Sequence, residues 1–184
     1  HFNEGMFCSP EMLVGDMKST GVSKWVFSST STGQHPFDSI KKEIEKTVAL
    51  SNGDALPFLW VTPEMLKESQ DLSKFFFTKF YGIKIHGYNG WSPNGVELHG
   101  VFEIAQARSL PVLLHTGGSP DRDAGAYLKI CEKFKNVTVI LAHGRPIDQT
   151  VSVMSICPNV YADTAFMPLK DLKQLKNIGL LNRV

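Results

Sequence analysis

The chain has 184 residues, 42% hydrophobic and 20% charged, with 19 Lys and Arg against 18 Asp and Glu for a formal net charge of +1. That length suits one domain, residues 1–184, and the apolar fraction with so small a charge imbalance excludes a disordered chain. A near-neutral balance without a Lys/Arg-rich stretch excludes a surface that tracks nucleic-acid phosphates, which needs many cationic contacts.

The first element in chain order is a helix. Ser9 as N-cap, Pro10 at the first helical position and Glu11 in the first turn form a start signal, and Leu13 and Met17 lie on its apolar face. Short apolar runs then alternate with amphipathic stretches. The runs are 24–29, 57–61, 81–86, 111–115, 137–143 and 160–163, and their starts are 33, 24, 30, 26 and 23 residues apart, the interval of one βα unit. Between them apolar residues recur at helical spacing: Phe37, Ile40, Ile44 and Val48; Leu98, Val101, Phe102 and Ala105; Tyr127, Ile130, Cys131 and Phe134; Ile147, Val151 and Met154. After the segment 169–182 a seventh strand is expected to open at Arg183 and Val184, and His1 reads as the end of another.

Nearly continuous apolar strands alternating with helices imply a parallel sheet covered by helices, an α/β fold. A doubly wound sheet and a closed (β/α)8 TIM-type barrel compete. No Gly-x-Gly-x-x-Gly follows an early strand, which removes the main signal for the former. The strand count favours eight units, but a whole barrel takes about 250 residues, so the chain reads as a barrel truncated at both ends. The longest strongly apolar stretches, 56–61 and 110–114, fall far short of the roughly 20 residues of a membrane span. Cys8, Cys131 and Cys157 are odd in number and widely spaced, as expected of reduced thiols in a cytoplasmic protein, and no signal peptide is visible.

Three strands end in histidine: Gly82-Ile83-Lys84-Ile85-His86, Pro111-Val112-Leu113-Leu114-His115 and Val139-Ile140-Leu141-Ala142-His143. In a parallel barrel the C-terminal ends of all strands meet at one rim, where active sites are built. Side-chain alternation puts Lys84 and His86 inside if Ile83 and Ile85 face the helices; Leu113 and His115 share one face, as do Leu141 and His143. Converging neutral imidazoles are what a divalent metal ion, zinc above all, requires, and catalytic zinc keeps one position for water. A single strand-end histidine is more often a hydrogen-bonded structural residue; three at one rim shift the balance. Lys84 reads as a lumen lysine paired with an acid, or as a modified metal-bridging group. Asp163 either orients a histidine or caps the following segment. Arg145 and Arg122 offer bidentate binding to a substrate carboxylate, although each type of residue is more often a surface ion-pair partner. His35 and His99 read as solvated surface residues, and Gly117-Gly118-Ser119 as a plain turn before an anion cradle.

At these residues the sequence resembles the amidohydrolase superfamily, in particular its branch of metal-dependent (β/α)8-barrel hydrolases that also contains aromatic-acid decarboxylases. The matching pieces are Gly82-Ile83-Lys84-Ile85-His86, Leu110-Pro111-Val112-Leu113-Leu114-His115-Thr116-Gly117, Val139-Ile140-Leu141-Ala142-His143-Gly144 and Asn159-Val160-Tyr161-Ala162-Asp163-Thr164. The resemblance implies that His115 is a metal ligand and that His143 is a second ligand or the group that orients the bound water and the scissile carbonyl. His1 matches the second member of the family's His-x-His pair, whose first member is absent; a purification-tag remnant is the competing reading of His1. The family's last-strand aspartate would lie just beyond Val184, so the chain is expected to be an excerpt of a longer protein.

The expectation is therefore a metal-dependent hydrolase that activates water to attack an amide, lactone or ester-like carbon of a small molecule. His143 and Asp163 are assigned to catalysis, Lys84, His86 and Arg145 to substrate, and His115 and His1 to a divalent ion, zinc first. Non-oxidative decarboxylation on the same site and an inactive barrel serving as a binding module are the alternatives. Neither nucleic acid nor membrane is expected as a partner; a homo-oligomer is compatible with such barrels.

Overall fold

The computed structural model describes residues 8–29, 37–68 and 72–184. Within them six strands, β1 (Trp25–Phe27), β2 (Ala55–Trp60), β3 (Gly82–Ile85), β4 (Val112–His115), β5 (Val139–Ala142) and β6 (Val160–Ala162), form one sheet in the order β1-β2-β3-β4-β5-β6. Every neighbouring pair is parallel. Consecutive order without a reversal is the topology of a barrel wall, whereas a doubly wound sheet switches direction. The α/β fold is as expected, with the sheet curled into a half-barrel.

The helices are α1 (Pro10–Ser19), α2 (Phe37–Leu50), α3 (Pro63–Glu68), α4 (Val96–Ala107), α5 (Leu128–Lys133), α6 (Ile147–Ile156) and α7 (Leu169–Asn177). Ser9 caps α1, its side chain accepting from the Met12 N–H at 3.3 Å. The residue that α1 buries is Val14, with Leu13 and Met17 only half-buried. In α4 the four expected residues Leu98, Val101, Phe102 and Ala105 are all buried.

One core lies between strands and helices. Ile83, Ile85, Val112, Leu114, Val139, Leu141 and Val160 project from the sheet into Phe102 of α4, Ile130 and Cys131 of α5 and Met154 of α6. Each such side chain removed from water contributes roughly 1.5–3 kcal/mol.

At Arg183 and Val184, where a seventh strand was expected to open, the described residues are not in a strand. Leu181–Arg183 is a 3-10 turn, and the Arg183 guanidinium donates to the carbonyls of Met154 at 2.6 Å, Cys157 at 3.1 Å and Val160 at 3.2 Å. Arg183 thus ties the end of α6 to the entry of β6.

Candidate active site at the C-terminal rim

The register aligns Trp60 with Lys84, Lys84 with Leu113 and His115 with Ala142, so the C-terminal ends of β2 to β5 stand side by side. Ile83 and Ile85 face the helices, which turns Lys84 and His86 to the concave side. His115 follows in the same way, because Val112 and Leu114 are in the core while Leu113 and His115 are half-buried.

His143 departs from the expected pleat. Leu141 is fully buried in the helix-facing core, so plain alternation would carry His143 there too. Instead the strand ends at Ala142 and His143 takes φ 70°, in the left-handed region that non-glycine residues seldom occupy. Asp163 holds that turn: its Oδ1 accepts from the backbone N–H of His143 at 3.0 Å and of Ala165 at 2.9 Å, and lies 3.9 Å from His143 Nδ1. The same carboxylate oxygen thus contacts the backbone of His143 and that of Ala165 in the segment that follows β6.

The three rings meet. His86 and His115 stack with centroids 4.1 Å apart and planes at 29°, and His115 meets His143 edge to face at 5.0 Å and 80°. Trp60 stacks on His86 at 5.3 Å and 13°, and Tyr88 flanks both His86 at 5.3 Å and His115 at 6.3 Å. Two tautomers follow from the partners. His143 Nδ1 lies 3.2 Å from the Ala165 carbonyl, which only accepts, so Nδ1 carries the proton and Nε2 the lone pair. His86 Nδ1 accepts from the Tyr88 backbone N–H at 3.3 Å, so in the neutral ring the proton sits on Nε2.

The site is electropositive. Burial, reinforced by Lys84, His143 and Arg122, pushes His86 down to about 4. His115 falls to about 3, again chiefly by burial, with His86, Lys84, His143 and Arg122 adding to it. Burial lowers Lys84 to about 8, against the opposing pull of Asp163. Lys84 is 2% exposed and its Nζ, 6.0 Å from the Trp60 ring centre, hydrogen-bonds no described residue. The expected acid partner is therefore not in ion-pair contact with it. Arg145 is exposed, donates from Nη2 to the Phe166 carbonyl at 3.2 Å and stacks over that ring, with its backbone N–H on Thr116 Oγ1.

His1 and His35 lie outside the described residues. His99 is on α4, its Nδ1 3.0 Å from Lys133 Nζ and away from the rim cluster. Sequence reasoning missed Trp60, Tyr88 and Trp91. The only signal for them was aromatic residues at or just after a strand end, and aromatic residues at such positions are usually core.

Neutral imidazoles suit a divalent ion, but lone pairs lie in ring planes, and the near-parallel planes of His86 and His115 aim theirs alongside each other. His115 and His143, edge to face, allow convergence on one point. Among the described residues no group of three or more His, Cys, Asp or Glu is placed to hold a metal ion, and catalytic zinc takes three protein ligands. By themselves the described residues do not fit the ion.

Comparison with protein-family models and with curated proteins gives no match. Among solved structures, the chain is similar to a probable 2-pyrone-4,6-dicarboxylic acid hydrolase from Acinetobacter baumannii with citric acid bound, at 10% identity and TM-score 0.67, over 100% of this chain and 74% of that one. It also aligns with a dihydroorotase from Campylobacter jejuni at 16% identity and TM-score 0.47, over 74% of this chain and 44% of the other, so it spans less than half of that protein's length. The first likeness shows a shared fold.

Proposed function

We propose that the chain is part of a (β/α)8-barrel hydrolase of the amidohydrolase type, in which water attacks an amide, lactone or ester-like carbon of a small anionic molecule. The observation that carries this reading is the contact of His86, His115 and His143 at the C-terminal rim of a parallel sheet. The hydrolase name borne by the structure of like fold agrees with it.

In this reading His143 takes a proton from the attacking water through Nε2, because the Ala165 carbonyl keeps the ring proton on Nδ1, and returns it to the leaving nitrogen or oxygen as the C–N or C–O bond breaks. Asp163 is a positioning residue that holds His143 in its left-handed turn. His86 donates from Nε2 to the substrate carbonyl oxygen and polarises it. Lys84 and Arg145 supply positive charge toward an acidic substrate. A divalent ion, zinc first, with His115 and His1 as ligands is the proposed cofactor; the described residues alone do not complete its ligand set, and no step is routed through it. The steps above belong to the chain's own side chains. The three thiols are free, which supports a cytoplasmic setting.

The test is metal content by plasma mass spectrometry after dialysis against zinc, manganese and iron, for the chain and for His115→Ala. Near-stoichiometric metal that disappears in the variant is the expected result; no retention in either contradicts the metal assignment. The incomplete donor set favours one second reading, a barrel that binds a small anion without turnover, and metal-free binding with no hydrolysis would select it.

A further inference from the structure

Tyr88, Trp91, Ser92 and Pro93 from the chain after β3, with Asp121 and Arg122 from the loop after β4, line an open cavity of about 520 Å3. Arg122 is held there in one orientation. Its Nε donates to Ser119 Oγ at 2.6 Å, and its guanidinium lies over the Tyr88 ring, 4.3 Å from the centroid. Asp121 approaches the same Nε at 3.8 Å and is hydrogen-bonded to Ser119, so both groups engage one edge of the guanidinium. The terminal nitrogens, Nη1 and Nη2, donate to no described residue. A guanidinium fixed along its Nε edge with its terminal donors open is arranged for two-point binding of a planar oxyanion.

Two further features belong to the same cavity. Gly87 leaves the space that Arg122 occupies, since a Cβ there would stand 2.3 Å from Arg122 Cδ. Trp91 also lines the cavity and is 4% exposed, so its indole forms a largely buried part of the wall. Tyr88 connects the cavity to the histidines, with Arg122 on its ring and His86 and His115 beside it.

We propose that this cavity is a subsite for an oxyanionic group, a carboxylate or a phosphoryl group, on the small molecule whose reacting carbon lies at His115 and His143. The inference rests on reading the histidine cluster as the reaction centre. An uncharged group there would leave the open donors of Arg122 without an ionic partner, so the subsite selects by charge as well as shape.

The test is calorimetric titration of the 184-residue chain with isophthalate, phenylphosphonate and uncharged isophthalamide, repeated on Arg122→Gln, Gly87→Ala and His143→Asn, with melting curves to verify folding. At least one oxyanion is expected to bind about tenfold or more tighter than isophthalamide. Preference for isophthalate alone assigns a carboxylate, for phenylphosphonate alone a phosphoryl group, and for both a general oxyanion site. Arg122→Gln should erase the preference, Gly87→Ala should weaken it with all charges intact, and His143→Asn should keep it. Equal binding of all three probes, or a preference that survives both Arg122→Gln and Gly87→Ala, overturns the subsite. Preference among the probes with no hydrolysis of any carboxylate-bearing lactone or amide sinks the hydrolase reading and leaves the subsite standing; hydrolysis of such a substrate without preference among the probes does the reverse.

Discussion

Removing the Asp163 carboxylate tests how the site is held. In Asp163→Ala the backbone N–H groups of His143 and Ala165 lose the oxygen that accepts them at 3.0 and 2.9 Å. Hydrogen bonds to a charged acceptor are each worth roughly 1.5–3 kcal/mol, but this side chain is 36% exposed and water replaces part of the loss. The left-handed φ of His143 stores roughly 1–2 kcal/mol of strain in the wild type, and relaxation of the turn in the variant offsets a further part of the loss. The expected net destabilisation is about 2 kcal/mol, which for a chain of this size lowers Tm by roughly 4–8 °C. Asp163→Asn keeps an oxygen at the same place and should lose less than half as much. Denaturant unfolding of the three proteins provides the values. If Asn costs as much as Ala, the carboxylate acts through its charge and not as a backbone acceptor; if neither costs anything, the reasoning about His143 fails.

Arg183→Ala should destabilise by about 2 kcal/mol, since it leaves three carbonyls without their donor, and Arg183→Lys should recover less than half because one ammonium cannot reach all three; thermal unfolding gives both values. Lys84→Met should stabilise by an amount on the order of 2 kcal/mol at neutral pH, because burial lowers the folded pKa to about 8 from 10.5. Between those values the unfolded chain binds more protons, so wild-type stability rises with pH and its deficit against Lys84→Met narrows from pH 8 to 10.5 in denaturant titrations. In Gly82→Ala the new Cβ would stand 2.4 Å from the ring of buried Phe58, and the expected loss of roughly 1–3 kcal/mol is read by urea unfolding.

What was legible in the sequence follows from period and burial. The six strands read clearly because parallel strands covered by helices are apolar almost throughout, and α4 read clearly because its four apolar positions all face the core. The short helix α3 offered too few turns to show a period. The rim histidines were legible as strand ends, but the turn of His143 was not. It depends on a carboxylate 20 residues later in the chain, which no local pattern reports. The stack of Trp60 on His86 depends likewise on the register between β2 and β3. Residues 183–184 looked like a strand opening because their neighbours are apolar, whereas the carbonyls that Arg183 serves lie up to 29 positions earlier.

The most direct test of the proposed function is turnover. The metal-supplemented chain would be assayed by liquid chromatography and mass spectrometry against small lactones and amides that carry a carboxylate, beside His143→Asn. The expected result is hydrolysis of at least one substrate that falls about 100-fold or more in the variant, the scale of a lost proton acceptor. Hydrolysis that His143→Asn leaves intact, or none by a metal-loaded chain, would contradict the assignment of the rim histidines to catalysis.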